Sequence, residues 1–209
     1  MRLTKYAHAC FVLEKDNKTL IVDPGVWSTD FVVPGNVVAV VVTHEHPDHF
    51  DIEKLAAIIE KNPDAVIIAH EDITKQISDI STQSVSAEET FVVESFSLEF
   101  FGGQHAVIHP NYPRIANLGV MIDNTVYYPG DSFAKPNKPV KVLALPVTAP
   151  WLKISEAMDF CAEVKADFVF PTHDAVASEF GKALPDRMLP SFAESYGGKY
   201  QRLTESIEI

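Results

Sequence analysis

Three histidines and an aspartate, His44, His46, Asp48 and His49, fall within six residues in the stretch Thr43-His44-Glu45-His46-Pro47-Asp48-His49. Neutral imidazole nitrogens and carboxylate oxygens are the ligands that divalent zinc and its first-row neighbours take. The stretch follows directly on the apolar run Val37-Val38-Ala39-Val40-Val41-Val42, so the four groups stand where a buried strand ends. A loop of solvated histidines would give the intervening Asp48 no role. The chemistry expected from such a cluster is metal-dependent hydrolysis.

Three further candidates occupy comparable places: His105 in Gly102-Gly103-Gln104-His105, Asp131 in Pro129-Gly130-Asp131-Ser132, and His173 in Pro171-Thr172-His173-Asp174. Each follows a run that reads as a strand, and the open ends of sheets are where side chains are presented to a ligand. Seven groups suit two ions, because a catalytic zinc takes three protein ligands plus water and one carboxylate can serve both. Asp131 by itself reads equally as a turn residue after Pro129-Gly130, and its order between His105 and His173 is what makes it a candidate. His8, beside Cys10 and Phe11, reads as a substrate contact or as a satisfied semi-buried residue. Trp151 lines a pocket mouth or packs a loop. Asp51 reads as a helix cap, Asp174 as a cap or a hydrogen-bond partner, His70 and His109 carry no assigned role, and Cys10 and Cys161 read as core thiols.

The elements that must position these groups come in two similar series. Ala9 to Glu14 and Thr19 to Asp23 form a hairpin around Asp16-Asn17-Lys18. After the histidine cluster, Ile52, Leu55, Ala56 and Ile59 recur at helical spacing, followed by a strand from Ala65 to Ala69 and a helix over Glu71 to Ile80. Phe91 to Phe101 alternates as one or two strands, and Leu118–Ile122 and Val126–Tyr128 form a second hairpin around Asp123-Asn124-Thr125. A strand over Val140 to Leu145, a helix marked by Ile154, Ala157, Met158, Cys161 and Val164, and a strand over Asp167 to Phe170 complete the pattern. Strands come first and α/β crossovers second in each half, with no sequence repeat. Two sheets packed face to face with helices outside satisfy both series.

At 209 residues, with 46% hydrophobic and 22% charged side chains, residues 1–209 are expected to form one domain. A formal charge of −12 and the lack of a basic patch argue against a nucleic-acid partner. No leader-like segment opens the chain and no apolar run has the length of a membrane span, so no membrane partner and a cytoplasmic location are expected. The expected partner is a small-molecule substrate, and composition leaves the oligomeric state open.

His44, His46, Asp48 and His49 match the H-x-H-x-D-H signature, and with His105, Asp131 and His173 following in order the chain closely resembles the metallo-β-lactamase superfamily. The resemblance implies an α/β fold, an αββα sandwich of two mixed β-sheets with helices on the outer faces. It implies one metal held by His44, His46 and His105, a second by Asp48, His49 and His173, and Asp131 bridging them. Asp23, in Val22-Asp23-Pro24, falls where the family keeps a buried aspartate that orients the histidine loop. Tyr6-Ala7-His8-Ala9-Cys10-Phe11, Ile21-Val22-Asp23-Pro24-Gly25 and Leu145-Pro146-Val147 look like the L-ascorbate-6-phosphate lactonase-like group, in which a histidine at the His8 position lies near the metals. Ala7 departs from the glycine usual before it.

The function so implied is hydrolysis of a small ester, lactone or phosphodiester by hydroxide activated at a binuclear centre, with Asp48 or His8 orienting the water or moving a proton. Zinc is the first choice of metal, and manganese and iron also suit an all-nitrogen-and-oxygen set. The flavodiiron branch typically has a glutamate where this chain has His46. The chain offers no counterpart of the added domains of the superfamily's RNA-processing nucleases or the helical domain of hydroxyacylglutathione hydrolases. The alternatives are a non-catalytic metal-binding or regulatory protein of the same fold and a nuclease-type phosphodiesterase.

Overall fold

The computed structural model describes residues 1–209. The chain opens as an antiparallel meander of β1 (Arg2–Lys5), β2 (Phe11–Lys15) and β3 (Lys18–Val22). It continues through β4 (Val37–Val42), α1 (Ile52–Lys61), β5 (Val66–Ala69), α2 (Glu71–Thr74) and β6 (Thr82–Ser84), with β3 to β6 paired in parallel. The second half repeats this scheme. β7 (Thr90–Val93), β8 (Phe96–Gly102), β9 (Leu118–Ile122) and β10 (Val126–Tyr128) are antiparallel neighbours. β11 (Val142–Pro146), α3 (Ile154–Val164), β12 (Phe168–Thr172), α4 (Glu179–Glu194) and β13 (Lys199–Tyr200) then extend the sheet in parallel from β10. Finally β14 (Ile207–Glu208) returns to the first sheet and pairs antiparallel with β1. Two mixed sheets of seven strands result, the αββα architecture that the sequence implied.

Strand alternation divides the apolar side chains among three layers. Along β4, Ala39 and Val41 enter the core between the sheets while Val40 and Val42 face α1, so both faces are buried and the strand reads as an unbroken apolar run. β11 does the same, with Val142 and Ala144 facing the other sheet and Leu143 and Leu145 facing α3 and α4. Phe11 anchors the middle layer by meeting Tyr128 and Phe170 of the opposite sheet edge to face, at ring-centroid distances of 5.6 and 5.9 Å. The hairpin between β2 and β3 turns on Asp16 and Asn17, both at positive φ, as a tight two-residue connection requires.

Local chemistry also sets the helix ends. Asp51 caps α1 by accepting from the backbone of Glu53 and Lys54 at 3.0 and 3.4 Å. At the other end the Asn62 side chain accepts from Val37 N–H (3.1 Å) and donates to the carbonyls of Pro34 and Ile58 (3.1 Å each). That docking fixes the rotation of α1, so Leu55 and Ile58 are buried, Ile59 is partly buried, and Ile52 and Ala56 are exposed. The buried face is therefore shifted from the one that spacing predicts.

The predicted helix over residues 71–80 is shorter than expected. α2 stops at Thr74, whose hydroxyl lies 2.6 Å from Ser84 Oγ, because the chain must turn back to lay β6 beside β5. Spacing gave no sign of α4, which contains Gly181, Pro185 and Pro190 and is only weakly amphipathic. The short strands β1, β6, β13 and β14 were likewise unread, since two to four residues carry too little period.

Phe11→Ala should cost about 3–5 kcal/mol, as expected for truncating a fully buried aromatic. Chemical denaturation that showed less than about 1 kcal/mol would mean the inter-sheet aromatic cluster is not a principal stabiliser.

Candidate metal centre

All the candidate groups lie at one rim of the two sheets, in the segments that leave β1, β3, β4, β8, β10 and β12. Asp23, at positive φ directly after β3, organises the first of them. Thr43 donates its backbone N–H to Asp23 Oδ1 (2.8 Å) and its hydroxyl to Oδ2 (2.6 Å). His49 Nδ1–H donates to the same Oδ2 at 2.6 Å. Because the Thr43 hydroxyl proton is committed to Asp23, its oxygen accepts from His44 Nδ1–H at 3.1 Å. One buried carboxylate thereby sets the ring orientation of two histidines. The loop is pressed in from outside by Gly25, where a Cβ would sit 1.9 Å from Asp48 O, and Val26 N–H donates to Pro47 O at 2.8 Å.

The second sheet supplies the rest. Gly102 and Gly103, both at positive φ, turn the chain out of β8 toward His105, whose Nδ1–H donates to Ala106 O at 2.6 Å. Arg114 holds the His105 carbonyl through Nε and Nη2 at 3.0 and 2.9 Å. Asn117 fixes the Asp131 loop, accepting from Asp131 N–H (2.9 Å) and donating to Pro129 O (2.9 Å). His173, at positive φ after β12, donates Nδ1–H to Thr148 O at 2.6 Å and its backbone N–H to His8 O at 3.1 Å.

In His44, His49, His105 and His173 the Nδ1 proton is thus used outward, which leaves each Nε2 lone pair facing inward. His8 is arranged the other way round: its Nδ1 accepts from Ala175 N–H (3.3 Å), so Nε2–H donates to Asp48 Oδ2 at 2.9 Å. It supports a carboxylate and has no inward lone pair.

The inward atoms form two groups within which every ligand atom lies within 4.8 Å of the others: His44, His46, His105 and Asp131, and His8, Asp48, His49 and His173. Asp131 spans them. Its Oδ1 is 3.3 Å from His49 Nε2, and its Oδ2 is 3.4 Å from His105 Nε2 and 3.0 Å from His173 Nε2. All seven sequence candidates for the metal are brought together, with Asp23 behind them and His8 at the edge. His49 Nε2, His105 Nε2, His173 Nε2 and Asp131 Oδ1 are buried with no hydrogen-bond partner. Orphaned polar atoms are costly unless something else satisfies them, and a divalent cation fits a convergent nitrogen-and-oxygen donor set.

The electrostatics have the same origin. Burial opposes charge on His173, yet Asp131 and Asp48 outweigh it and hold the imidazole up to about 10, so without a cation Nε2 keeps a proton that a bound metal ion would displace. His49 is likewise raised against its burial by Asp131 and Asp23. Burial and the neighbouring His49 keep His44 well below the ordinary histidine range. Asp131, despite its burial, is held well below the usual carboxylate range by His49 and His173. The buried carboxylate of Asp131, with the partly exposed Asp48 beside it, therefore demands positive charge in the space they face.

Sequence reasoning missed one direct contact. Trp151 Nε1–H donates to Asp131 Oδ2 at 2.8 Å, and its ring packs edge to face on Phe133 at 5.3 Å. A lone tryptophan twenty residues downstream carries no signal for this. To the two roles the sequence left open for Trp151, a pocket mouth or loop packing, the structure adds a hydrogen bond to Asp131. Asn117 and Thr148 were also unread, because one acts through its amide on backbone and the other through a carbonyl that any residue could supply.

A family model described as beta-lactamase superfamily domain matches residues 2–173. Protein Rv0786c of Mycobacterium tuberculosis is 33% identical over 183 residues, spanning 85% of this chain and 86% of that protein. A UPF0173 metal-dependent hydrolase of Aeropyrum pernix is 33% identical over 94 residues, 42% of this chain and 35% of its own length. Among solved structures, the metallo hydrolase Igni18 of Ignicoccus hospitalis superposes with a TM-score of 0.73 at 17% identity, covering 100% of this chain and 98% of that one.

Asp23→Asn should weaken metal binding roughly 10–100-fold by loosening His49 and His44, and Trp151→Phe should weaken it by less, both read as equilibrium metal affinity by competition with a chelator. Unchanged affinity in Asp23→Asn would show that the buried carboxylate does not set the histidine rings.

Proposed function

This chain belongs to the metallo-β-lactamase superfamily and is a metal-dependent hydrolase, and we propose that it uses a binuclear centre on a small ester, lactone or phosphodiester. One ion would be held by His44, His46 and His105, the other by Asp48, His49 and His173, with Asp131 shared. The observation that carries this reading is the convergence of inward Nε2 lone pairs on a carboxylate that faces both groups. Divalent cations bound there supply Lewis acidity toward a substrate oxygen and lower the pKa of water from 15.7 to about 7. The donor set suits zinc first and manganese or iron after it.

The chain's own side chains do the positioning. His8 is held down to about 4 by burial, though its hydrogen bond to Asp48 opposes this, so at neutral pH it is an uncharged donor through Nε2–H. It aims Asp48 Oδ2, which also lies 3.4 Å from His173 Nε2. Asp48 keeps 14% of its side-chain surface, whereas Asp131 keeps 4% and His49 none, so substrate and water reach the centre past Asp48. The place of His8 beside Asp48 supports the likeness to the L-ascorbate-6-phosphate lactonase-like group. We take residues 1–209 as one domain, a reading supported by the pairing of β14 with β1. No helix is long and apolar enough to cross a membrane.

Alanine at His46, Asp48 or His173 should lower turnover on a lactone, ester and phosphodiester panel by two orders of magnitude or more, together with metal content measured by elemental analysis. His46 is the most informative, because it is only partly buried and its replacement is expected to disturb the fold least. Full metal content and turnover in all three variants would sink the binuclear reading, and metal-loaded protein inert on the whole panel would favour the non-catalytic alternative.

A further inference from the structure

A cavity of about 710 Å³ adjoins the metal centre across His8, and its wall sets the cations Lys5, Lys182 and Arg202 beside the carboxylates Asp30 and Asp174, with Trp27 and Val176 among its apolar residues. Three cations against two carboxylates leave this wall net positive in a chain of net charge −12. Two of the three are occupied. Arg202 donates from Nε to Asp186 Oδ2 (2.7 Å) and from Nη1 to Asp174, and Lys182 pairs with Glu179 at 3.0 Å. Lys5 is different. Its ammonium donates to the carbonyls of Tyr6 and His8, the latter at 2.6 Å, and no carboxylate reaches it as an ion pair. Asp174 and Asp30 act on it only from a distance, Asp174 being committed to Arg202 and Asp30 accepting from Ala7 N–H at 2.7 Å. One ammonium proton is left over, on a charge that the fold itself does not neutralise.

The cavity also has an apolar side. Trp27 and Val176 are 41% and 52% exposed, and Trp27 stands edge to face on His8 at 4.9 Å. From these features we infer that the cavity is an anion subsite, in which Lys5, seconded by Lys182, binds a carboxylate or phosphate-type group of the substrate while Trp27 and Val176 cover its carbon body. The subsite rests on the hydrolase reading only for what the anion is attached to. It makes the preferred substrate an anionic small molecule whose charged end lies beyond His8 from the metals.

The test uses Trp27 as the reporter. With Trp151→Phe, Trp27 is the single emitter of a chain that has two tryptophans. Sulfate and acetate are titrated into metal-stripped and metal-loaded protein while Trp27 emission is followed. A saturable response in both forms is expected, weakened at least tenfold by Lys5→Met, less by Lys182→Met, and retained in Lys5→Arg. Stronger binding of sulfate assigns the site to phosphate-type groups, and stronger binding of acetate assigns it to carboxylates. Lys5→Met removes two contacts to carbonyls, so a pH series on the unsubstituted residue stands beside it. Burial brings Lys5 down to about 8 against the opposing pull of Asp174, Cys10 and Asp30 and with the help of Arg202, so acetate affinity should fall as pH rises through that value and the ammonium is lost. No saturable response, or a response indifferent both to Lys5→Met and to pH, overturns the subsite. The titration needs no turnover, so its failure leaves the hydrolase reading standing, and absence of hydrolysis leaves the titration to decide the subsite. If both hold, Lys5→Met should lower the ratio of kcat/KM for an anionic ester over its neutral analogue about tenfold.

Discussion

The carboxylate of Asp131 is the constraint around which the molecule is arranged. It comes from the second sheet, is almost wholly buried, and faces imidazole nitrogens from both sheets: His49 after β4, and His105 and His173 after β8 and β12. A lone buried carboxylate is expensive, and it is tolerated when positive charge and hydrogen bonds surround it. That requirement can be met only if the two sheets are held in fixed register. The inter-sheet layer built on Phe11, Tyr128 and Phe170 does this, since close-packed cores resist sliding.

A second principle governs the histidines individually. Four of them spend Nδ1–H on a partner behind the site, and those partners are a buried aspartate through a threonine, the aspartate itself, and two backbone carbonyls. The tautomer, and with it the direction of the free lone pair, is decided outside the centre. His8 shows the converse: a backbone N–H from Ala175 at Nδ1 makes Nε2 a donor, and the same residue type serves a carboxylate. The difference between a histidine that turns Nε2 inward as a potential ligand and one that supports a carboxylate is therefore written in what lies behind the ring.

The site is asymmetric in its surroundings. Trp151 and Phe133 close the side next to Asp131 with aromatic surface, while the side beyond His8 opens into a cavity in which Lys5 is the cation without a carboxylate partner. A substrate entering past Asp48 would meet rigid, dry walls on one flank and a polar recess on the other. Much of that recess comes from the segment around α4 and from Arg202, which also ties Asp174 to Asp186.

By itself the sequence determined the candidate histidines and aspartates, the strand ends that carry them, and the two-series organisation of the sandwich. Most of this was legible from short-range pattern, since fully buried strands such as Val37–Val42 are apolar without interruption and His44, His46, Asp48 and His49 are close in the chain, whereas His105, Asp131 and His173 were singled out by their order after strand ends. Tertiary structure alone decided the rotation of α1, the early end of α2 and the existence of α4, where docking of Asn62, the return of β6 and the prolines override local spacing. It also decided that Trp151 meets Asp131, that His8 donates to Asp48, and that Lys5 has no ionic partner. Each of these relations joins residues distant in the chain through one hydrogen bond or the lack of one, and such a pairing has no period, composition or spacing that a linear sequence could display.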